Sequence, residues 1–122
     1  LATTRFILAR HAHTDAVGRV LAGRAPGHGL NAAGMEEAVR LALSLSAEAI
    51  AAVFSSPRLR ARQTAEHIAN ATGCIVEESA GLDEVDFGGW SGRDFTDLDE
   101  APGWAEWNAL RSLAPTPGGE TM

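Results

Sequence analysis

The chain has 122 residues, 45% of them hydrophobic and 21% charged, with one cysteine and a formal charge of −6 at pH 7. That balance fits a single globular domain, residues 1–122, and leaves no room for two. No apolar run approaches the roughly 18 residues of a membrane span, and the lone Cys74 permits neither an internal disulfide framework nor a four-cysteine zinc site.

The expected compartment is cytoplasmic. All ten basic residues are arginine. An isoelectric point near 5.1 argues against a general nucleic-acid binder, so neither nucleic acid nor membrane is an expected partner. Several arginines nevertheless stand beside histidine or serine. The guanidinium fork matches phosphate, so an acidic chain with local arginine clusters suggests a small anion site.

In chain order, residues 5–9 form a short continuous apolar run, which predicts a strand buried on both faces. Residues 10–30 read as a loop broken by Gly18, Gly23, Gly27 and Gly29. Asn31 is a good helix N-cap, and Met35, Ala38, Val39, Ala42 and Leu45 follow helical spacing to about residue 47. Residues 49–54 predict a second strand. It is followed by a helix with Ser56 as N-cap and Pro57 in the first position, burying Ala61, Ala65, Ile68 and Ala69 and stopping at Gly73. Residues 74–77 predict a third strand, residues 81–93 a glycine-rich loop, and residues 102–113 a helix carrying Trp104, Trp107 and Leu110 on one side. Strand, helix, strand, helix, strand is the order of an α/β fold with a mostly parallel central sheet.

Ligands of such sheets bind beyond the carboxyl ends of the strands. Arg10–His11–Ala12–His13–Thr14 falls there. So does Ser55–Ala65, where a helix N-terminus favours anions and Arg60 can aim at the pocket of Arg10 and His11. A neutral imidazole flanked by arginines suits in-line attack on phosphorus. Arg58 and Arg62, spaced i, i+4, would share a solvated face. The carboxylates of Leu82–Gly92 lie in a glycine-rich loop with two aromatics and could supply a general acid. Taken singly, each segment reads more readily as a polar loop, a solvated face or a helix cap than as a site.

Together these segments resemble the histidine phosphatase superfamily, in its phosphoglycerate mutase-like branch. Leu8–Thr14 is similar to Leu-x-Arg-His-Gly-x-Thr, and residues 55–65 to Ser-Ser-Pro-x-x-Arg-Ala-x-Gln-Thr-Ala. Residues 82–92 are similar to Leu-x-Glu-x-Asp-Phe-Gly-x-Trp-x-Gly, and Pro117–Thr121 to Pro-Gly-Gly-Glu-Ser/Thr. Leu30–Gly34 resembles the Leu-Thr-x-x-Gly helix start.

The resemblance implies a three-layer sandwich with a mostly parallel sheet between helices. It also implies a phosphomonoester hydrolase working through phosphohistidine on a small phosphorylated metabolite. His11 would be the nucleophile, Arg10 and Arg60 would bind the phosphate oxygens, and Glu84 would donate the proton to the leaving oxygen. Gly23 would line the substrate entrance, and Arg24 beside it would meet a second anionic group. No metal or organic cofactor is implied; a homodimer is compatible with it.

Three departures matter. Ala12 replaces the motif glycine, and Val17 stands where many relatives carry asparagine, which favours a phosphatase over a mutase. The second catalytic histidine of such proteins, in a later His-Gly motif, has no counterpart here. The expectation is therefore that residues 1–122 are the N-terminal larger part of one domain. The alternatives are a mutase-type phosphotransferase, a non-catalytic phospho-ligand binder, and a metallo-β-lactamase-like hydrolase built on His11, His13 and Asp15.

Overall fold

A strand–helix–strand unit builds the frame of the site in this computed structural model, which describes residues 2–122. Strand β1 (Val53–Ser55) pairs in parallel with β2 (Val76–Glu78), Val53 opposite Val76. Parallel neighbours need a crossover, and helix α2 (Leu59–Thr72) supplies it. Gly73 ends α2 at φ 72° with the Cys74 N–H on the Ala69 carbonyl, 2.9 Å, a left-handed cap that glycine adopts without strain.

Helix α1 (Ala32–Leu45) precedes this unit and packs on α2. The first core joins Ala42, Val53, Ala65, Ile68 and Ala69. Its alanines let the two helices approach closely. Burial of Ile68 alone stabilises by about 1.5–3 kcal/mol. A second core lies under the C-terminal loops. It holds Phe87 and Ala114 from loops, Trp90 from the 3₁₀ turn Gly88–Trp90, Leu98 from α3 (Phe95–Leu98) and Trp107 from α4 (Trp104–Ala109). Among the described residues no helix is long and apolar enough to cross a membrane.

The α/β class with a parallel sheet and flanking helices holds, and four details differ from expectation. Residues 5–9 are not a buried strand: they join no strand among the described residues, and Phe6 and Leu8 are 80% and 94% exposed. An apolar run becomes a strand only beside a partner that takes up its N–H and C=O groups. On α1 the buried residues are Gly34, Ala38 and Ala42, whereas Met35 and Val39 face outward, because α2 lies against the small-residue side. Helix α2 begins two residues later than Pro57. Ser56 Oγ accepts the Arg58 N–H at 3.2 Å, and Arg58 occupies the cap without a side-chain bond. The predicted 102–113 helix shortens to α4, preceded by the short α3.

Candidate active site

His11 is half-buried on the loop after residues 5–10. Its Nδ1 lies 2.8 Å from the Ala12 carbonyl. A carbonyl oxygen only accepts, so Nδ1 carries the proton and the Nε2 lone pair is left for a ligand.

Both helices fasten this loop. The Ala12 N–H donates to Thr64 Oγ1 at 3.0 Å, and Thr64 Oγ1 donates to the Arg60 carbonyl at 2.8 Å. The Asn31 N–H donates to the His13 carbonyl at 3.2 Å, and the His13 N–H to Glu37 Oε2 at 2.9 Å. A Cβ at Gly34 would collide with that same His13 carbonyl, so only glycine lets α1 come this near. No non-glycine residue described has positive φ, so alanine at position 12 strains nothing.

Arg60, 5% exposed, stands in the first turn of α2. Its Nη2 donates to the Gly23 carbonyl at 3.1 Å and lies 3.7 Å from Glu84 Oε2. Burial lowers its pKa, yet a guanidinium stays charged at any working pH. Gly23 has φ 51°, and a Cβ there would come within 2.9 Å of Phe87 Cδ2. Glycine at this position thus permits contact between the loop that receives Arg60 and the loop that carries Glu84. Beside Arg60, a cleft of about 290 Å³ opens between residues 25–28 and 57–62, edged by His28, Arg58 and Arg62.

Arg10, exposed, directly precedes His11, and its charge acts on the imidazole together with those of Arg60 and Glu84. Burial is the main influence and pulls the His11 pKa below its ordinary value. The Ala12 hydrogen bond opposes it, Arg60 and Arg10 reinforce it, and Glu84 opposes it again. A neutral imidazole at neutral pH is the form able to attack phosphorus.

The His11 ring signals should therefore titrate with a midpoint below about 6.5 in an NMR experiment. A midpoint at or above that value contradicts the placement. Stability follows with a fixed sign. As pH falls through about 6.5 the unfolded chain takes the proton first, so the contribution is present above that pH and lost toward His11's own, lower pKa.

The acidic loop is held more tightly than the sequence suggests. Glu84 Oε1 accepts the Val85 N–H at 2.9 Å. Arg24, expected at the substrate, gives Nε to the Glu84 carbonyl at 2.6 Å and Nη2 to Glu120 Oε2 at 3.2 Å. Arg58 leaves the solvated face expected for it: its Nη2 donates to Asp83 Oδ2 at 3.2 Å, while Arg62 meets Glu78 at 3.3 Å. Glu120 also accepts the Asp86 N–H at 2.9 Å. Thr64, Gln63 and Glu120 were legible only as letters of a motif, while Arg58 and Asp83 fall on its variable positions. Gln63 Oε1 receives the Leu30 N–H at 2.8 Å, so two successive motif residues tie two loops to one helix.

Among the described residues no three His, Cys, Asp or Glu side chains converge as metal ligands, and Asp15 accepts instead from Asn31 Nδ2 at 2.9 Å.

His11, with Nδ1 on the Ala12 carbonyl, thus lies within reach of the charges of Arg60, Arg10 and Glu84. The profile of the histidine phosphatase superfamily (branch 1) matches residues 6–122, and the chain belongs to that family. It is 37% identical over 123 aligned residues to the bifunctional protein Rv2228c of Mycobacterium tuberculosis, covering 98% of this chain and 33% of that one. Among solved structures it resembles mycobacterial glucosyl-3-phosphoglycerate phosphatase Rv2419c, with TM-score 0.80 and 29% identity over 91% of this chain and 53% of that one. It also resembles the α-ribazole phosphatase of Shigella flexneri, with TM-score 0.81 and 30% identity over 91% and 56%. The chain thus spans a third of the curated relative and about half of the solved ones.

Proposed function

We propose that the protein is a phosphomonoester hydrolase acting on a small phosphorylated metabolite through a phosphohistidine. The observation that carries this reading is the state of His11: half-buried, its Nδ1 committed to the Ala12 carbonyl, and its pKa lowered by burial with the charges of Arg60 and Arg10 acting on it. The solved relatives named above are phosphatases, which supports hydrolysis over mutase transfer.

In the proposed course, His11 Nε2 attacks phosphorus in line, a P–N bond forms and the ester P–O bond breaks. Arg10 and Arg60 hold the equatorial oxygens, whose charge grows in the transition state. Glu84 gives a proton to the leaving oxygen. Water then attacks phosphorus, Glu84 takes a proton from it, the P–N bond breaks, and neutral His11 and inorganic phosphate result.

The test is release of phosphate from p-nitrophenyl phosphate by the protein at its full natural length. Arg60→Gln should lower kcat/KM by about 10²–10³-fold, the usual cost of one lost donor to a developing anion. No phosphate release from a broad panel of monoesters by the wild type would sink the enzyme reading in favour of a phospho-ligand binder.

A further inference from the structure

Glu84 stands on a loop without regular structure, and its side chain is 41% exposed. Packing alone does not fix such a group, yet a general acid must meet one oxygen atom. What fixes its backbone is an ion cluster next to it. Asp83, 12% exposed, lies between two arginines. Its Oδ1 accepts the Glu84 N–H at 2.8 Å and lies 2.8 Å from Arg58 Nε, a charge contact without aligned hydrogen-bond geometry. Its Oδ2 accepts from Arg58 Nη2 at 3.2 Å and lies 3.4 Å from Arg24 Nε. That Arg24 Nε donates to the Glu84 carbonyl. Arg58 Nη1 donates to the Arg24 carbonyl at 2.7 Å, closing the ring.

We propose that Arg24, Asp83 and Arg58 are positioning residues for Glu84, clamping its peptide N–H and C=O so that its carboxylate faces Arg60. This rests on Glu84 being the proton donor of the proposed hydrolysis. The clamp couples three distant segments. Arg58 sits at the start of α2, the helix that carries Arg60, so the donor is referenced to the same helix as the phosphate-binding cation. Glu120, shared by Arg24 Nη2 and the Asp86 N–H, braces the far side. Two guanidiniums against the Asp83 and Glu120 carboxylates leave the cluster without net charge. Arg24 gives Nε and Nη2, and Arg58 both terminal nitrogens, to protein oxygens, which suits a brace more than a subsite for a second anion.

The full-length protein is assayed with two substrates that carry no second charged group. One is p-nitrophenyl phosphate, whose leaving group needs little protonation, and the other is an alkyl monoester such as ethyl phosphate, whose leaving group needs it. Arg24→Ala should lower kcat/KM for the alkyl ester by about ten- to a hundredfold, the scale of a small misplacement of a catalytic group. It should change the aryl ester by less than about threefold, and leave inhibition by inorganic phosphate within about twofold. In a Glu84→Gln background Arg24→Ala should cost nothing further, since residues acting through one group are not additive. Arg24→Lys and Arg58→Ala, which serve if Arg24→Ala does not fold, should show smaller losses with the same leaving-group dependence. Equal losses on both esters, or full additivity with Glu84→Gln, would overturn the clamp while leaving Glu84's role intact. Unchanged alkyl-ester hydrolysis in Glu84→Gln itself would overturn both.

Discussion

His11→Asn should reduce hydrolysis of an aryl phosphate by at least about 10⁴-fold, the scale on which loss of a nucleophile acts in other hydrolases. The asparagine amide can still donate to the Ala12 carbonyl that now receives Nδ1, so the loop keeps its bond and only the nitrogen lone pair is lost. Rapid quenching of the wild type with radiolabelled substrate should trap a protein-bound phosphate that survives alkali and is released by acid, the behaviour of a P–N bond. The variant should hold none. His13, two residues on, provides the control. It is exposed, and the loop uses its backbone N–H and carbonyl, so His13→Asn should keep activity within about threefold. Label retained in His11→Asn, or a loss under about tenfold, places the nucleophile elsewhere.

What the sequence made legible was local chemistry. The Asn31 cap, with its Oδ1 on the Gly34 N–H at 2.8 Å, and the Gly73 stop are one-residue decisions, and both stand where expected. The βα step from Ser55 into α2 was readable in kind, but its helix starts at Leu59 with Arg58 in the cap, not at Pro57 with Ser56. Residues 5–9 were not, since an apolar run does not say whether a neighbouring strand covers it. The buried face of α1 was misjudged for a related reason. Spacing marks Met35, Ala38, Val39 and Ala42 as one broad stripe, and only the position of α2 selects the alanines.

The candidate site divides the same way. His11, Arg60 and Glu84 each follow from a motif, whereas the clamp joins Arg58 to residues 34 and 25 positions away, Arg24 and Asp83. Arginines read as solvent-facing carry internal bonds that no period encodes. Arg24 shows how this changes meaning. An arginine beside a presumed substrate entrance reads as a ligand-binding group until its guanidinium is found on Glu84 and Glu120.

The largest stability effect should come from Trp107→Ala, with a loss of about 3–5 kcal/mol. Trp107 is 3% exposed and sits at the centre of the second core. It meets Phe87 edge-on at 5.4 Å and Trp90 at 6.2 Å, and stacks on Trp104 at 5.7 Å. Its buried Nε1–H has no hydrogen-bond partner among the described residues, so truncation forfeits packing and opens a cavity but breaks no hydrogen bond. That orphan donor sets up a contrast. Trp107→Phe removes it, recovering part of a desolvation cost of about 1–3 kcal/mol, while keeping most of the ring contact. The phenylalanine variant should therefore lose no more than about 1.5 kcal/mol. Urea unfolding of both variants measures the difference, read from the midpoints at unchanged slope. Equal losses would mean that the indole N–H is satisfied or that the ring is not tightly packed.

Function should follow stability in order. Phe87 lies three residues beyond Glu84, and its ring touches the space that Gly23 leaves open. Loosening Trp107 therefore frees the acidic loop before it disturbs α1, α2 or His11. Trp107→Ala, assayed well below its unfolding midpoint, should lose alkyl-ester hydrolysis before aryl-ester hydrolysis, the order expected when the proton donor moves and the nucleophile does not.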